Sequence, residues 1–157
     1  MKTIHQKMIG WIFSSLLIVL LFQCQSREET QLVTSMENLM EEKGKDAILT
    51  MKDLTSFPWE KLYIFPPYTS QSSIEVDLKF SWSEPYLHRW NQSIENNDSI
   101  TLLIFVQDNR VMAEIYFPRG VLDFSELYRA DGYPVSEAVF SVQEDASGWR
   151  YAHWDTE

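Results

Sequence analysis

The sequence predicts an α+β fold, an N-terminal helix packed on an antiparallel sheet built largely from hairpins. Three observations carry the prediction. Leu32, Met36, Leu39 and Met40 recur at intervals of three and four, the repeat of one helix face. The run from Ile100 to Pro118 holds two β-rich segments around Asp108-Asn109, two residues that tolerate positive φ and suit a tight turn. A second pair of short alternating runs, Ala138 to Gln143 and Trp149 to Trp154, flanks a turn over Glu144 to Gly148. Helical spacing early in a chain with antiparallel strands after it is the α+β pattern.

Residues 1–23 form a targeting segment. Lys2 and Lys7 make a short basic region, and Ile9 to Phe22 is apolar. As a helix that run reaches about 21 Å at ~1.5 Å per residue, short of a ~30 Å hydrocarbon core, which suits a signal peptide. An uncleaved N-terminal anchor is the alternative. The only cysteine, Cys24, follows directly. Leu21-Phe22-Gln23-Cys24 resembles the lipobox of bacterial lipoproteins, with leucine at the third position before cysteine and Gln23 where the box has a small residue. The resemblance implies that the Cys24 sulfur takes a diacylglycerol, that acyl chains such as palmitate anchor the protein, and that Cys24 begins the mature chain. The protein would then sit in the bacterial cell envelope, on the extracytoplasmic face of a membrane. Cleavage after Ser26 by ordinary signal peptidase would instead release a secreted or periplasmic chain starting at Arg27.

From Cys24 onward the chain has 134 residues, a normal size for one domain. Residues 24–31 read as a polar tether and residues 32–157 as a single domain. With Lys2 and Lys7 removed, 11 basic residues face 23 acidic ones, a charge of about −12. Such a surface disfavours nucleic acid, whose binding depends on neutralising phosphates, and serves solubility. No cysteine follows residue 24, which excludes disulfides within the domain, thiolate metal sites and a cysteine nucleophile.

The helical spacing of residues 32–51 continues through Ala47, Ile48 and Met51, with Gly44 as a break that costs about 1 kcal/mol inside a helix. Phe57 to Phe65 reads as the first strand, with Pro58 at its start or on an edge and Pro66-Pro67 ending it. The segment Ile74 to Trp82 reads two ways. Ile74, Val76, Leu78, Phe80 and Trp82 alternate with polar residues, the stronger signal, which is a strand. Thr69 or Ser70 as a cap, with Ile74 and Leu78 on one face, would make it a short helix. Ser83 to Ser99 is a polar connection long enough to be functional or to hide a helix.

Closing the central hairpin at Asp108-Asn109 pairs Val106 with Val111, Ile104 with Ala113, Leu102 with Ile115 and Ile100 with Phe117, one apolar face. The other face, with Phe105, Met112, Leu103, Glu114, Thr101 and Tyr116, is mixed and expected to be partly covered. Val121 to Pro134 reads as a loop with a turn at Asp131-Gly132. In the second hairpin Ala138, Phe140 and Val142 alternate inward.

Motifs of chemistry are not visible. His88 and His153 have no ligand-spaced neighbour, so no metal site is expected. No Gly-x-Ser-x-Gly elbow and no phosphate-cradling glycine pattern occurs, and Asn96-Asn97-Asp98 lacks calcium-loop spacing. No cofactor is expected, and the expected role is non-enzymatic binding. The aromatic surplus gives the one functional tilt. Trp82, Tyr86 and Trp90 stand four apart with Arg89 beside them, and on a helical turn they would share a face. That face could anchor a protein or cell-envelope partner, or stack on a sugar in a small secreted sugar-binding module or hydrolase. The weightier alternative is that they cover the mixed face of the sheet over Phe105 and Met112, because a small domain needs buried area. Arg119 could bind an anion or pair with an acid.

Overall fold

The structure is a computed structural model and describes residues 28–44, 47–85 and 93–155. Residues 1–27, which hold the expected targeting segment and Cys24, and the run from Tyr86 to Gln92 lie outside the described residues. Four-residue spacing builds helix α1 over residues 28–43, and it buries Leu32, Met36 and Met40 against the sheets. Each such side chain contributes about 1.5–3 kcal/mol by leaving water. Residues 28–31, expected in the tether, are already helical. Gly44 ends the helix with φ +59°, and open space surrounds it, so glycine is there for its backbone freedom.

The helical spacing expected to run on through Met51 gives way to a different period. Ala47, Leu49 and Met51 are buried and Ile48 between them is exposed, an alternation that makes strand β1 (Ile48–Thr50), followed by the one-turn helix α2 (Met51–Leu54). Strand β2 (Lys61–Phe65) is shorter than the predicted first strand and second in order. Its ladder is entered by the Glu60 N–H, which donates to Val106 O at 2.9 Å.

The segment after Ser70 is helix α3 (Gln71–Leu78), not the favoured strand. The Ser70 hydroxyl accepts from the Ser73 N–H at 3.2 Å, and Lys79 closes the other end in a left-handed conformation. Ile74 and Leu78 are buried, while Val76, inward in a strand reading, is 72% exposed.

Strands β3 (Ile100–Gln107) and β4 (Arg110–Pro118) form the central hairpin, turned at Asp108 (φ +50°) and Asn109 (φ +57°) as predicted. Val106 pairs with Val111, but then Met112 bulges and the register slips by one. Phe105 pairs with Ala113, Leu103 with Ile115 and Thr101 with Phe117, in place of the expected Ile104–Ala113, Leu102–Ile115 and Ile100–Phe117 pairs. A slip of one residue exchanges faces. The apolar row of β4 therefore joins Leu103 and Phe105, and Glu114 and Tyr116 join the side of Leu102 and Ile104. Both faces of β3 are buried, so the mixed face is covered rather than half open.

The loop after Pro118 contains a 3-10 turn (Ser125–Leu127) and supplies strand β5 (Tyr133–Pro134) on the far edge of β2. Gly132 (φ +65°) lies so close to Leu62 O that a Cβ would stand 2.9 Å from it. The second hairpin is as read, β6 (Val139–Glu144) and β7 (Arg150–His153), with Ala138, Phe140 and Val142 buried.

Two antiparallel sheets result, ordered β1-β6-β7 and β4-β3-β2-β5. The first sheet and α1 share a core with one face of the second, including Phe117, Phe124 and Phe140 in edge-to-face contact. The opposite face of the four-stranded sheet packs under α3, Trp82 and Ile94. Among the described residues no helix is long and apolar enough to cross a membrane.

Candidate functional site

Trp82 does not present a platform. It is 5% exposed, in the core between α3 and the four-stranded sheet. Its indole N–H donates to Glu114 Oε1 at 2.9 Å, its backbone N–H to Glu75 Oε1 at 3.0 Å, and its carbonyl accepts from Gln71 Nε2 at 3.0 Å. It covers the Ile104 and Tyr116 side, because the bulge in β4 carries Glu114 and Tyr116 to that face, while Phe105 lies on the other with Ala113 and Ile115. Tyr86, Arg89 and Trp90 lie outside the described residues. Arg119 is bound twice to Asp123, through Nε at 3.0 Å and Nη2 at 2.6 Å, and its Nη1 donates to Asp98 O at 2.7 Å. The structure therefore brings neither Trp82 nor Arg119 to a common open surface.

Asp123 is itself a hub. Burial pulls its pKa up, but hydrogen bonds from Arg119 and Ser125 outweigh burial and hold the carboxyl below the usual range. It also accepts from the Trp149 indole N–H at 3.2 Å, and the Arg119 guanidinium lies over that ring at 5.9 Å. Trp149 is 41% exposed.

The β4 bulge gathers acids beneath Trp82. Burial raises the Glu114 pKa, the Trp82 hydrogen bond offsets part of the rise, and the charge of Glu84 adds to it. Glu114 Oε2 is buried with no hydrogen-bond partner among the described residues. Glu84 is buried and accepts from the Ile94 N–H at 3.0 Å. Burial first, then the charges of Glu114 and Glu84, push the Tyr116 hydroxyl far above its ordinary pKa. A cavity of about 280 Å³ adjoins, lined by Gln71, Trp82, Glu84, Ser93 and neighbours. The carboxylates here fasten backbone: Glu95 Oε1 accepts from the Gln71 N–H at 2.6 Å, much as Glu75 and Glu84 hold Trp82 and Ile94. Their arrangement is that of struts over the sheet.

The larger opening, about 560 Å³, lies on the outer side of the three-stranded sheet. Ile48 and Val139 line it as exposed apolar side chains, and Trp154 flanks them. Ser136, Glu137, Ser141 and Asp155 supply polar groups around it. Trp154 is held in place: its N–H donates to Glu137 O at 3.1 Å, Tyr133 meets it edge to face, and the Arg129 guanidinium sits 5.1 Å from its ring centre. Glu137 Oε2 pairs with Arg129 at 2.7 Å, and Asp155 Oδ1 lies 3.5 Å from His153 Nε2. Among the described residues no group of three or more metal-ligating side chains assembles.

No protein-family model matches this chain, and no curated protein and no solved structure is significantly similar to it. The site rests on its own geometry.

Sequence reasoning missed Ile48, Val139 and Trp154. The signal was present for Val139: an apolar residue at the outward position between inward Ala138 and Phe140. It was hidden for Ile48, which the helical reading had absorbed.

Proposed function

We propose that the protein is a lipid-anchored binding module on the extracytoplasmic face of a bacterial membrane, which engages its ligand through the cleft beside Ile48, Val139 and Trp154. The observation that carries the anchoring is the sole cysteine, Cys24, closing an apolar segment, with helix α1 already formed at residue 28. Three residues separate the two, a reach of about 3.3–3.6 Å each when extended, so an acylated Cys24 holds the domain close to the bilayer. Support for the cleft is its size, within the roughly 300–1,000 Å³ of small-molecule sites, and its mixture of exposed apolar floor and polar rim.

Intact mass of the membrane-extracted protein tests the anchor beside a Cys24→Ala variant. The expected result is a chain beginning at Cys24 with added lipid mass, and a variant that is unprocessed or released. A lipid-free chain beginning near Arg27 would make it a secreted domain.

A further inference from the structure

We propose that the cleft on the outer face of the three-stranded sheet is a carbohydrate site for a neutral or amino sugar of about disaccharide size. This rests on the reading of the domain as a binding module and names the class of its ligand. The register sets Ile48 opposite Ser141 and Thr50 opposite Val139, so Ile48 and Val139 are diagonal neighbours on one exposed face. Trp154 stands beside them with its N–H already spent on Glu137 O, which leaves the indole to act through its apolar surface. A sugar ring carries both things this cleft asks for: a face of C–H groups to lie on the aliphatic and aromatic floor, and hydroxyl donors directed outward from its rim. The acceptors stand at the cleft edge. Arg129 engages Glu137 through Oε2 and orients that carboxylate, whose other oxygen has no partner among the described residues, and the exposed Asp155 carboxylate lines the same cleft, its Oδ1 3.5 Å from His153 Nε2. Ser136 adds a hydroxyl that can donate and accept, and Ser141, whose hydroxyl donates to His153 O at 3.4 Å, adds an acceptor.

Other ligand classes fit less well. An anion would meet two carboxylates on a chain of strongly negative net charge. A purely apolar ligand would cover Glu137 and Asp155 without giving them donors. An extended basic peptide would need a run of open backbone groups on the neighbouring edge strand. Val142 N–H donates to Ala47 O and Met51 N–H to Ala138 O, which turns alternate residues of β1 toward β6 and leaves only Ile48 and Thr50 facing the edge. Thr50 is already the N-cap residue of α2.

Titration of the full chain in detergent with chitobiose, cellobiose and maltose tests the proposal, read by tryptophan fluorescence and calorimetry. At least one disaccharide is expected to saturate a single site. Ile48→Arg puts a long cation into the cleft from an exposed position and should weaken that binding by about tenfold or more, with the thermal midpoint unchanged. Trp154→Ala should weaken it too, but it also removes the Tyr133 contact, so Ile48→Arg is the deciding variant. No saturation by any of the three sugars overturns the proposal, as does saturation that Ile48→Arg leaves intact. Tighter binding of a Lys-Leu-Lys-Leu peptide at the same cleft overturns it in favour of a peptide. None of these outcomes bears on the mass of the Cys24 adduct, so the anchor reading stands or falls separately.

Discussion

One buried and one half-buried carboxyl set opposite demands on pH. Glu114 has its pKa raised by burial and by Glu84, so the fold prefers its neutral form. Its stabilising share is complete below the ordinary glutamate value and is lost as pH rises through the raised one. Asp123 has its pKa lowered by Arg119 and Ser125 against the pull of burial, so its share is present above the ordinary aspartate value and is lost as pH falls through the lowered one. Together these two groups therefore favour the folded state most in the acid range between the ordinary aspartate and glutamate values. Thermal midpoints followed from acid to neutral pH should decline less toward neutral in Glu114→Gln than in the wild type; an identical slope would show that Glu114 ionises without cost. Asp123→Asn should lose about 1.5–3 kcal/mol in denaturant titration at pH 7, the worth of hydrogen bonds to a charged group, together with a change in near-ultraviolet circular dichroism from Trp149. Neither role was legible in the sequence, where 23 acidic residues gave no means of choosing two. The pairing of Arg119 with an acid was foreseeable, but its identity depended on Val121 N–H turning back to Pro118 O and bringing Asp123 alongside.

At the level of elements, what the sequence disclosed was whatever a single period could carry. The spacing of Leu32, Met36, Leu39 and Met40, with an interval of three that breaks any alternation, fits a helix, and Asp108-Asn109 fits a tight turn, and both are present. Helix α3 shows where a period is insufficient. Ile74 and Leu78 belong to both an alternating row and an i, i+4 row, and the caps decided between them. Ser70→Ala is accordingly expected to cost about 1 kcal/mol, measured by urea unfolding, with protection of the Ser73 amide from hydrogen exchange lost first. The bulge at Met112 left no trace in composition. A methionine in a β-rich run reads as one more strand residue, yet it decides which face of β3 receives Ala113, Ile115 and Phe117 and which receives Glu114 and Tyr116.

For the whole molecule, the α+β class followed from the order of elements, but the division into two sheets did not. β1 was concealed in an extrapolated helix, and it is the strand that gives β6 a partner on its far side. The candidate cleft was illegible for the same reason, since one of its walls is Ile48. The aromatic loop drew attention away from it because sequence shows a tryptophan but not its depth: Trp59 and Trp82 are buried, whereas Trp149 and Trp154 near the C-terminus remain partly open. The bulge has a final effect, on encounters between molecules. Among the described residues no strand pairs with the outer edge of β4. The Arg119 N–H donates to Ser99 O at 2.9 Å, which fixes the parity and turns the backbone of Glu114, Tyr116 and Pro118 outward. Proline offers no N–H there and the bulge twists the line, two features that discourage another chain from extending the sheet. Pro118→Val should shift the scattering mass upward with concentration relative to the wild type; no shift would show that the bulge suffices. Should Cys24 anchor the chain as proposed, neighbours would meet in two dimensions without diffusing away, and such an edge would keep crowding from becoming polymerisation.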